Sequence, residues 1–417
     1  MHRVLLLVPS ASYRASDFLD AARALELEVI VGCDEAPVLA ESGACVQVRL
    51  DDPEAAADAI VALDAATPLD AVVAVDDQGT IAAARAAARL GLCANHPDAV
   101  VAARDKLRMR TLLSAAEVSQ PAFAVLPPTG EAAELARLAE SVGLPCVVKP
   151  TSLSASQGVI RADTFAEVLV AVERSRSIAT SAGAPADQPL LLEQFVPGPE
   201  VAVEGLLTDG ELTVLAVFDK PDPLDGPFFE ETLYVTPSRL AAADRAAVEA
   251  ATQAATRGLG LTEGPVHAEL RVRDGRAWVI EVAARSIGGL CSRTLEFGTG
   301  MSLEYLILAH ALGRPVSPAP MQGAAGVLML PIRAGGVLVE VTGREELLET
   351  PGIVSIDLTI APGRTLVPLP EGNRYLGFVF ARGDNPLDVE AALRSALAKL
   401  YVRVRPERPL KRLAAGR

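Results

Sequence analysis

Along the first hundred residues, short runs of consecutive apolar residues alternate with Ala- and Leu-rich stretches of helical period. Residues 4–8 form one such run, 18–27 read as a helix, 29–31 and 71–75 are further runs, and 80–90 is a second helix ended by Gly91. Uninterrupted apolar runs separated by helices are the mark of parallel strands covered on both faces. Residues 1–96 are therefore expected to form a Rossmann-like domain. Asn95-His96-Pro97 punctuates its end, and a single long helix is expected over 99–116.

The pattern then changes. Residues 121–126 read as extended, 131–142 as a helix, 146–149 as a strand stopped by Pro150, 179–189 as an exposed loop and 190–193 as a strand. Residues 201–207, 212–217, 266–272 and 277–282 follow as antiparallel strand candidates, the last two joined by the turn Asp274-Gly275. Gly-Arg-Pro-Val-Ser-Pro-Ala-Pro at 313–320 reads as a linker, and 321–417 as a Gly-rich, strand-rich unit with one helix near 386–400. The chain thus divides into segments 1–96, 97–189, 190–315 and 321–417, without internal repeats.

Composition narrows the class. A chain of 417 residues exceeds what one core usually organises, and with half of it hydrophobic and 22% charged it is neither disordered nor fibrous. The net charge of −15, from 38 Lys plus Arg against 53 Asp plus Glu, argues against a nucleic-acid partner. An anionic ligand would then need local cations or a metal. Cys33, Cys45, Cys93, Cys146 and Cys291 are odd in number and lack C-x-x-C spacing, so neither a disulfide framework nor a zinc site is expected; they read as small buried residues in a reducing compartment. The run at 4–8 is too short for a signal-peptide core and no run approaches membrane-spanning length, so a cytoplasmic location without membrane contact is expected.

Three constellations carry chemistry. Lys149 ends an apolar strand and is followed by Ser152-Leu153-Ser154-Ala155-Ser156-Gln157-Gly158, small residues that let backbone amides and hydroxyls approach phosphate oxygens beside a point charge. Glu193-Gln194-Phe195-Val196 leaves a strand through an apolar hinge and reaches Glu200 seven residues on, a set that offers acceptors, a hinge amide and apolar walls to a purine and a carboxylate to a ribose. His267 and Glu269 share one strand face, and pairing across the turn brings Glu281 beside Glu269, where two carboxylates are costly without a cation such as Mg²⁺ between them.

Together these residues resemble the ATP-grasp ligases, and more closely their carboxylate–amine ligase branch, which includes the L-amino acid ligases. The resemblance runs through Arg104-Asp105-Lys106, Val148-Lys149-Pro150, the loop 154–158, Glu193 and Glu200, Phe228-Phe229-Glu230-Glu231-Thr232, Glu269, and Glu281 onward to Gly288-Gly289. It implies an α/β and α+β multidomain ATP-grasp fold with an N-terminal Rossmann-like domain and a C-terminal sandwich-like domain. On it, Lys106, Lys149, Ser154, Ser156, Gln157, Gly158, Glu193, Gln194, Phe195, Val196 and Glu200 hold ATP, while Glu269 and Glu281 hold Mg²⁺ or Mn²⁺. Phe228, Glu230, Glu231, Gly288 and Gly289 contact substrate, and Arg285 helped by His267 stabilises the oxyanion.

The implied reaction makes an amide or peptide bond through an acyl phosphate, with small carboxylate and amine substrates and ADP and phosphate as products; a homodimer is compatible with it. Many relatives carry Asn where this chain has Ala283, which leaves the count at one or two ions. Two other readings stand beside this one: a carboxylase-like enzyme that uses bicarbonate, and a nucleotide-binding regulator without turnover.

Overall fold

The structure, a computed structural model, describes residues 1–35, 45–316 and 319–406. The expected linker at 313–320 and the end of the last segment thus fall partly outside the described residues. Strands Arg3–Leu7, Glu28–Cys33, Cys45–Gln47 and Ala71–Ala74 form an all-parallel sheet with Arg3–Leu7 inside it. Its apolar run works on both faces. Val4 and Leu6 join one buried cluster and Leu5 and Leu7 another, as a period of two requires.

The stretch expected as one helix over 99–116 is two, Pro97–Arg104 and Lys106–Ala115. Asp105 breaks it: its backbone is extended and its carboxylate accepts from the Leu107 and Arg108 amides, capping the second helix. Lys106 is thereby placed at a helix start, and its amide donates to Thr151 O at 2.9 Å. A small antiparallel sheet follows, ordered Phe123–Leu126, Leu190–Gln194, Cys146–Pro150 and Ile160–Ala162. Helices Ala132–Val142 and Phe165–Ser181 pack on it. The latter carries helix into the stretch expected as loop at 179–189, because its Thr164–Glu167 capping box fixes the start while Ile178 and Ala179 still face the core.

The third sheet has eight strands, ordered Arg276–Ala283, Gly264–Arg273, Glu200–Thr208, Glu211–Lys220, Leu233–Thr236, Ala324–Leu330, Gly377–Gly383 and Ile353–Leu358. It runs across the division expected between 315 and 321, because Leu233–Thr236 pairs with Ala324–Leu330. Local hydrophobic pattern marks strands but not their partners. Helix Ala242–Leu259 backs this sheet, and strands Gly336–Thr342, Thr365–Leu366 and Tyr401–Arg405 form a small outer sheet. Of the cysteines expected to be buried, Cys146 and Cys291 are, whereas Cys33 and Cys45 are half-buried and Cys93 is exposed. No helix among the described residues is long and apolar enough to cross a membrane.

Candidate active site

Between the small sheet and the eight-stranded sheet lies a cleft lined by Lys106, Lys149, Ser154, Ser156, the segment 193–196 and Glu200. A larger cavity, bounded by Tyr13, Asp76, Arg285, Gly288, Gly289 and Arg374 among others, adjoins it. Ser154, Ser156, Glu231, Glu269 and Glu281 line both, so they mark where the two meet.

In the cleft, the strand Cys146–Pro150 delivers Lys149 to Glu193 on the neighbouring strand, Nζ to Oε2 at 2.7 Å. Arg110 reaches the same carboxylate at 2.7 and 3.1 Å and also donates to the Val279 and Ile280 carbonyls, tying the two sheets together. Burial alone would raise the Glu193 pKa, but the Arg110 and Lys149 charges outweigh it and hold it at about 2. Glu193 is thus a buried anchor saturated by two cations. Gln194 and Phe195 donate their amides to Ala122 and Pro145 carbonyls, and the Phe195 ring lies between Arg161 and Arg271, 4.2 and 4.9 Å from its centroid. Glu200 accepts from Arg271 and Lys220 at 2.7 and 2.8 Å, so both its oxygens are engaged.

At the junction, Glu269 and Glu281 are register partners on adjacent strands, with a β-bulge just after Glu269 that re-aims the strand. Lys106 Nζ lies 3.1 Å from Glu281 and 2.8 Å from Leu153 O. Glu200, Glu231 and Glu269 also approach one another closely enough for a metal, but Lys220 Nζ stands among them at 2.8, 2.5 and 3.4 Å. That trio is therefore matched by an ammonium. The Glu269–Glu281 pair fits a hard divalent cation better, since its oxygens face both cavities and its cations belong to separate elements.

His267 sits between Glu204, at 2.5 Å, and Glu269, at 3.2 Å. Burial would lower its pKa, but the two carboxylates override this and raise it to about 9. Both ring nitrogens are thereby committed, so His267 braces Glu269, whereas it was expected to help at an oxyanion. The other Glu204 oxygen accepts the Ile287 amide at 2.9 Å, which fixes the loop after Glu281. Arg285 on that loop pairs with Asp77 of the first domain at 2.8 Å; Arg285 and Arg104 overcome burial to hold the Asp77 carboxyl well below the usual range. Gly289 has φ +66°, and a Cβ there would lie 2.8 Å from the Phe378 ring, so only glycine fits.

Other expected residues lie elsewhere. Gln157 and Gly158 face the C-terminal segment, where the Gln157 side chain donates to Glu371 O and the Gly158 amide to Pro370 O. Phe228 packs against the small-sheet core under Arg174, and it is Phe229 that lines the cleft. Glu230 sits in a separate recess with Ile332 and Val367, its pKa raised by burial. Glu231 does reach the junction, held by Lys220 and by Tyr234 Oη at 2.7 Å. Sequence reading passed over Arg110, Glu204, Lys220, Arg271 and Asp77. Lys220-Pro221 repeats the strand-ending signal of Lys149-Pro150, which would have found it.

Comparison with known proteins accords with this arrangement. Family models match at residues 19–93 (ATP-grasp N-terminal domain), 142–294 (ATP-grasp domain) and 328–405 (L-amino acid ligase C-terminal domain 2). The chain is 30% identical over 259 residues to an alanine–anticapsin ligase of Bacillus subtilis, covering 58% of this chain and 53% of that protein. To a dapdiamide A synthase of Enterobacter agglomerans it is 27% identical, over 61% of each chain. The chain thus spans about half the length of the alanine–anticapsin ligases it matches. The crystal structure of an L-amino acid ligase from Bacillus licheniformis superposes with a TM-score of 0.81 at 26% identity, covering 97% of this chain and 99% of that one. The chain belongs to the ATP-grasp superfamily, and its C-terminal segment is similar to that of the L-amino acid ligases.

Proposed function

We propose that the protein is an ATP-dependent carboxylate–amine ligase that joins amino acid substrates through an acyl phosphate. The observation that carries this is the meeting of a cleft lined by Lys106, Lys149 and the hinge 193–196 with a larger cavity at one rim of Ser154, Ser156, Glu231, Glu269 and Glu281. ATP lies in the cleft with its base between Phe229, Val196 and Ile280 and the Val196 amide as hinge donor. Lys106, Lys149 and Lys220 neutralise the phosphates from three sides. Glu269 and Glu281 would hold Mg²⁺ or Mn²⁺, which when bound shields the phosphate oxygens from the carboxylates.

The substrate carboxylate attacks the γ-phosphorus, and the bond from phosphorus to the ADP oxygen breaks. The amine nitrogen then attacks the acyl carbon, phosphate leaves, and the amine gives up one proton. Arg285, fixed by Asp77, faces the developing oxyanion, while the glycines at 288 and 289 keep the loop close to the acyl group. Segments 1–96 and 321–417 close the substrate cavity around the central grasp formed by 97–189 and 190–315. The larger cavity is walled by residues from both outer segments as well as the central ones, a wider enclosure than bicarbonate needs. Phosphate release from ATP and Mg²⁺ across a panel of amino acids tests the reading: stimulation by an acid–amine pair is expected, and stimulation by bicarbonate alone would replace it.

A further inference from the structure

Two arginines cross between the first domain and the loop after Glu281, in opposite directions. Arg285 leaves that loop and reaches Asp77 of the first domain at 2.8 Å. Arg14 leaves the first domain and reaches the loop, where its Nη2 donates to Ser286 Oγ at 2.8 Å. Its Nη1 donates at 2.9 Å to the carbonyl of Val75, just before Asp76 and Asp77. The planar fork of Arg14 thus clamps the end of strand Ala71–Ala74 to the loop at 285–286, beside the Arg285–Asp77 pair.

Arg14 is 1% exposed and its guanidinium lies 5.5 Å from the centre of the Phe18 ring. The carboxylates nearest to it, on Glu304 and Asp76, stand at 3.5 and 3.7 Å, farther than the two neutral acceptors. A cation buried only to dock one domain on another would make its short contacts with carboxylates, because leaving them at a distance raises the cost of burying it. Here the short contacts go to the groups that flank Asp77 and Arg285. Arg14 stands directly behind the wall of the larger cavity, which Ser12, Tyr13, Asp76, Asp77 and Arg285 line.

Resting on the ligase reading above, we propose that Arg14 is a positioning residue for amide formation: it holds the loop at 285–286 so that the Arg285 guanidinium meets the oxyanion formed when the amine attacks. Arg285 commits Nε to Asp77 and Nη1 to Ser286 O at 2.8 Å, so its placement follows that of the Ser286 backbone. Without Arg14, the Ile287 amide still holds to Glu204, but the Ser286 side chain loses its partner and Arg285 can shift together with Asp77. A shift of about 1 Å in a group that meets the reacting atoms is enough to lower a rate about 10²-fold.

The test measures amide formation with ATP, Mg²⁺ and the amino acid pair that wild-type protein joins fastest. Arg14→Met keeps the length of the side chain but removes the fork, and should lower kcat about 10- to 100-fold with KM for ATP nearly unchanged. Arg14→Lys, with one donor head in place of two, should fall between. Ser286→Ala removes only the hydroxyl and should lower kcat about threefold to tenfold, which keeps the link testable if Arg14→Met does not fold. A double-mutant cycle separates positioning from general support of the fold. In an Arg285→Ala background, where Asp77 keeps Arg104 at 3.2 Å, no guanidinium is left to place, so adding Ser286→Ala or Arg14→Met should cost less than about threefold more. Full additive losses in that background, an unchanged kcat in the single variants, or a loss confined to KM for ATP would overturn the assignment while leaving the ligase reading intact. Wild-type protein that forms no amide with any pair would remove that reading itself.

Discussion

The cleft proposed for the nucleotide and the cavity proposed for the substrates share a rim but are built on opposite plans. In the cleft, charged side chains stand on regular strands and on the helix Lys106–Ala115 and neutralise one another: Lys149 and Arg110 on Glu193, Lys220 and Arg271 on Glu200. Such a site is preorganised, because each of these side chains is held by an oppositely charged partner. The larger cavity is walled by loops from the first domain, from the strand-to-loop transition at 283–289 and from the C-terminal segment. Its lining carries both signs of charge, Asp76, Asp77, Glu231, Glu269 and Glu281 against His267, Arg285 and Arg374. Chemistry common to all substrates can sit on rigid strands, whereas selection among substrates falls to loops.

Variants should separate the two regions. The largest expected effect is at the rim: Glu281→Gln removes the charge facing both cavities and should lower ATP-dependent phosphate release by about 10³-fold, with ATP affinity changed far less. A rate within tenfold of wild type would show that Glu281 is only a partner for Lys106. In the cavity, Arg285→Lys keeps the charge but loses the planar fork, so amide formation should fall about 10²- to 10³-fold while ATP binding, read by calorimetry, stays near wild type. Loss of ATP binding would move Arg285 to the nucleotide side.

Next in size is a stability effect confined to the cleft. Glu193→Gln leaves Arg110 and Lys149 buried with an uncompensated charge and should destabilise the protein by about 3–5 kcal/mol in chemical denaturation. The pH dependence has a definite sign. Because the folded pKa of Glu193, about 2, lies below its ordinary value of 4.5, its contribution is complete above pH 4.5 and is lost as pH falls toward 2. Wild-type stability should therefore decline more steeply than that of Glu193→Gln across this interval, and parallel declines would show that the carboxylate is not held ionised.

The smallest effect concerns the segment 152–158, which faces both cavities through Ser154 and Ser156 and holds to the C-terminal segment through Gln157 and Gly158. Gln157→Ala should raise amide hydrogen exchange in this segment severalfold, and a non-hydrolysable ATP analogue with Mg²⁺ should suppress exchange in both proteins. Exchange unaffected by the nucleotide would mean that the segment does not close over phosphates.

The same contrast explains what the sequence could disclose. Lys149, the hinge 193–196 and the Glu269–Glu281 pair were legible because each sits at a strand end or across a short turn, where period two and turn chemistry place side chains directly. The break at Asp105 was hidden under an unbroken helical pattern, since one capping aspartate ended the helix against its propensity. Arg110, Glu204 and Asp77 act across 83, 63 and 208 residues of chain, on Glu193, His267 and Arg285 in turn, and no local pattern announces such a partner. The shared eight-stranded sheet escaped for the same reason: Leu233–Thr236 is short, and its neighbour Ala324–Leu330 lies beyond the apparent linker.

The central claim is that a substrate carboxylate is phosphorylated at the rim before the amine attacks. Supplying the acid with heavy oxygen in its carboxylate and following the label into products tests this most directly. One labelled oxygen should appear in inorganic phosphate for each amide formed, because the acyl carbon surrenders that oxygen when phosphate leaves. Amide formed with unlabelled phosphate, or label found in AMP, would contradict the account.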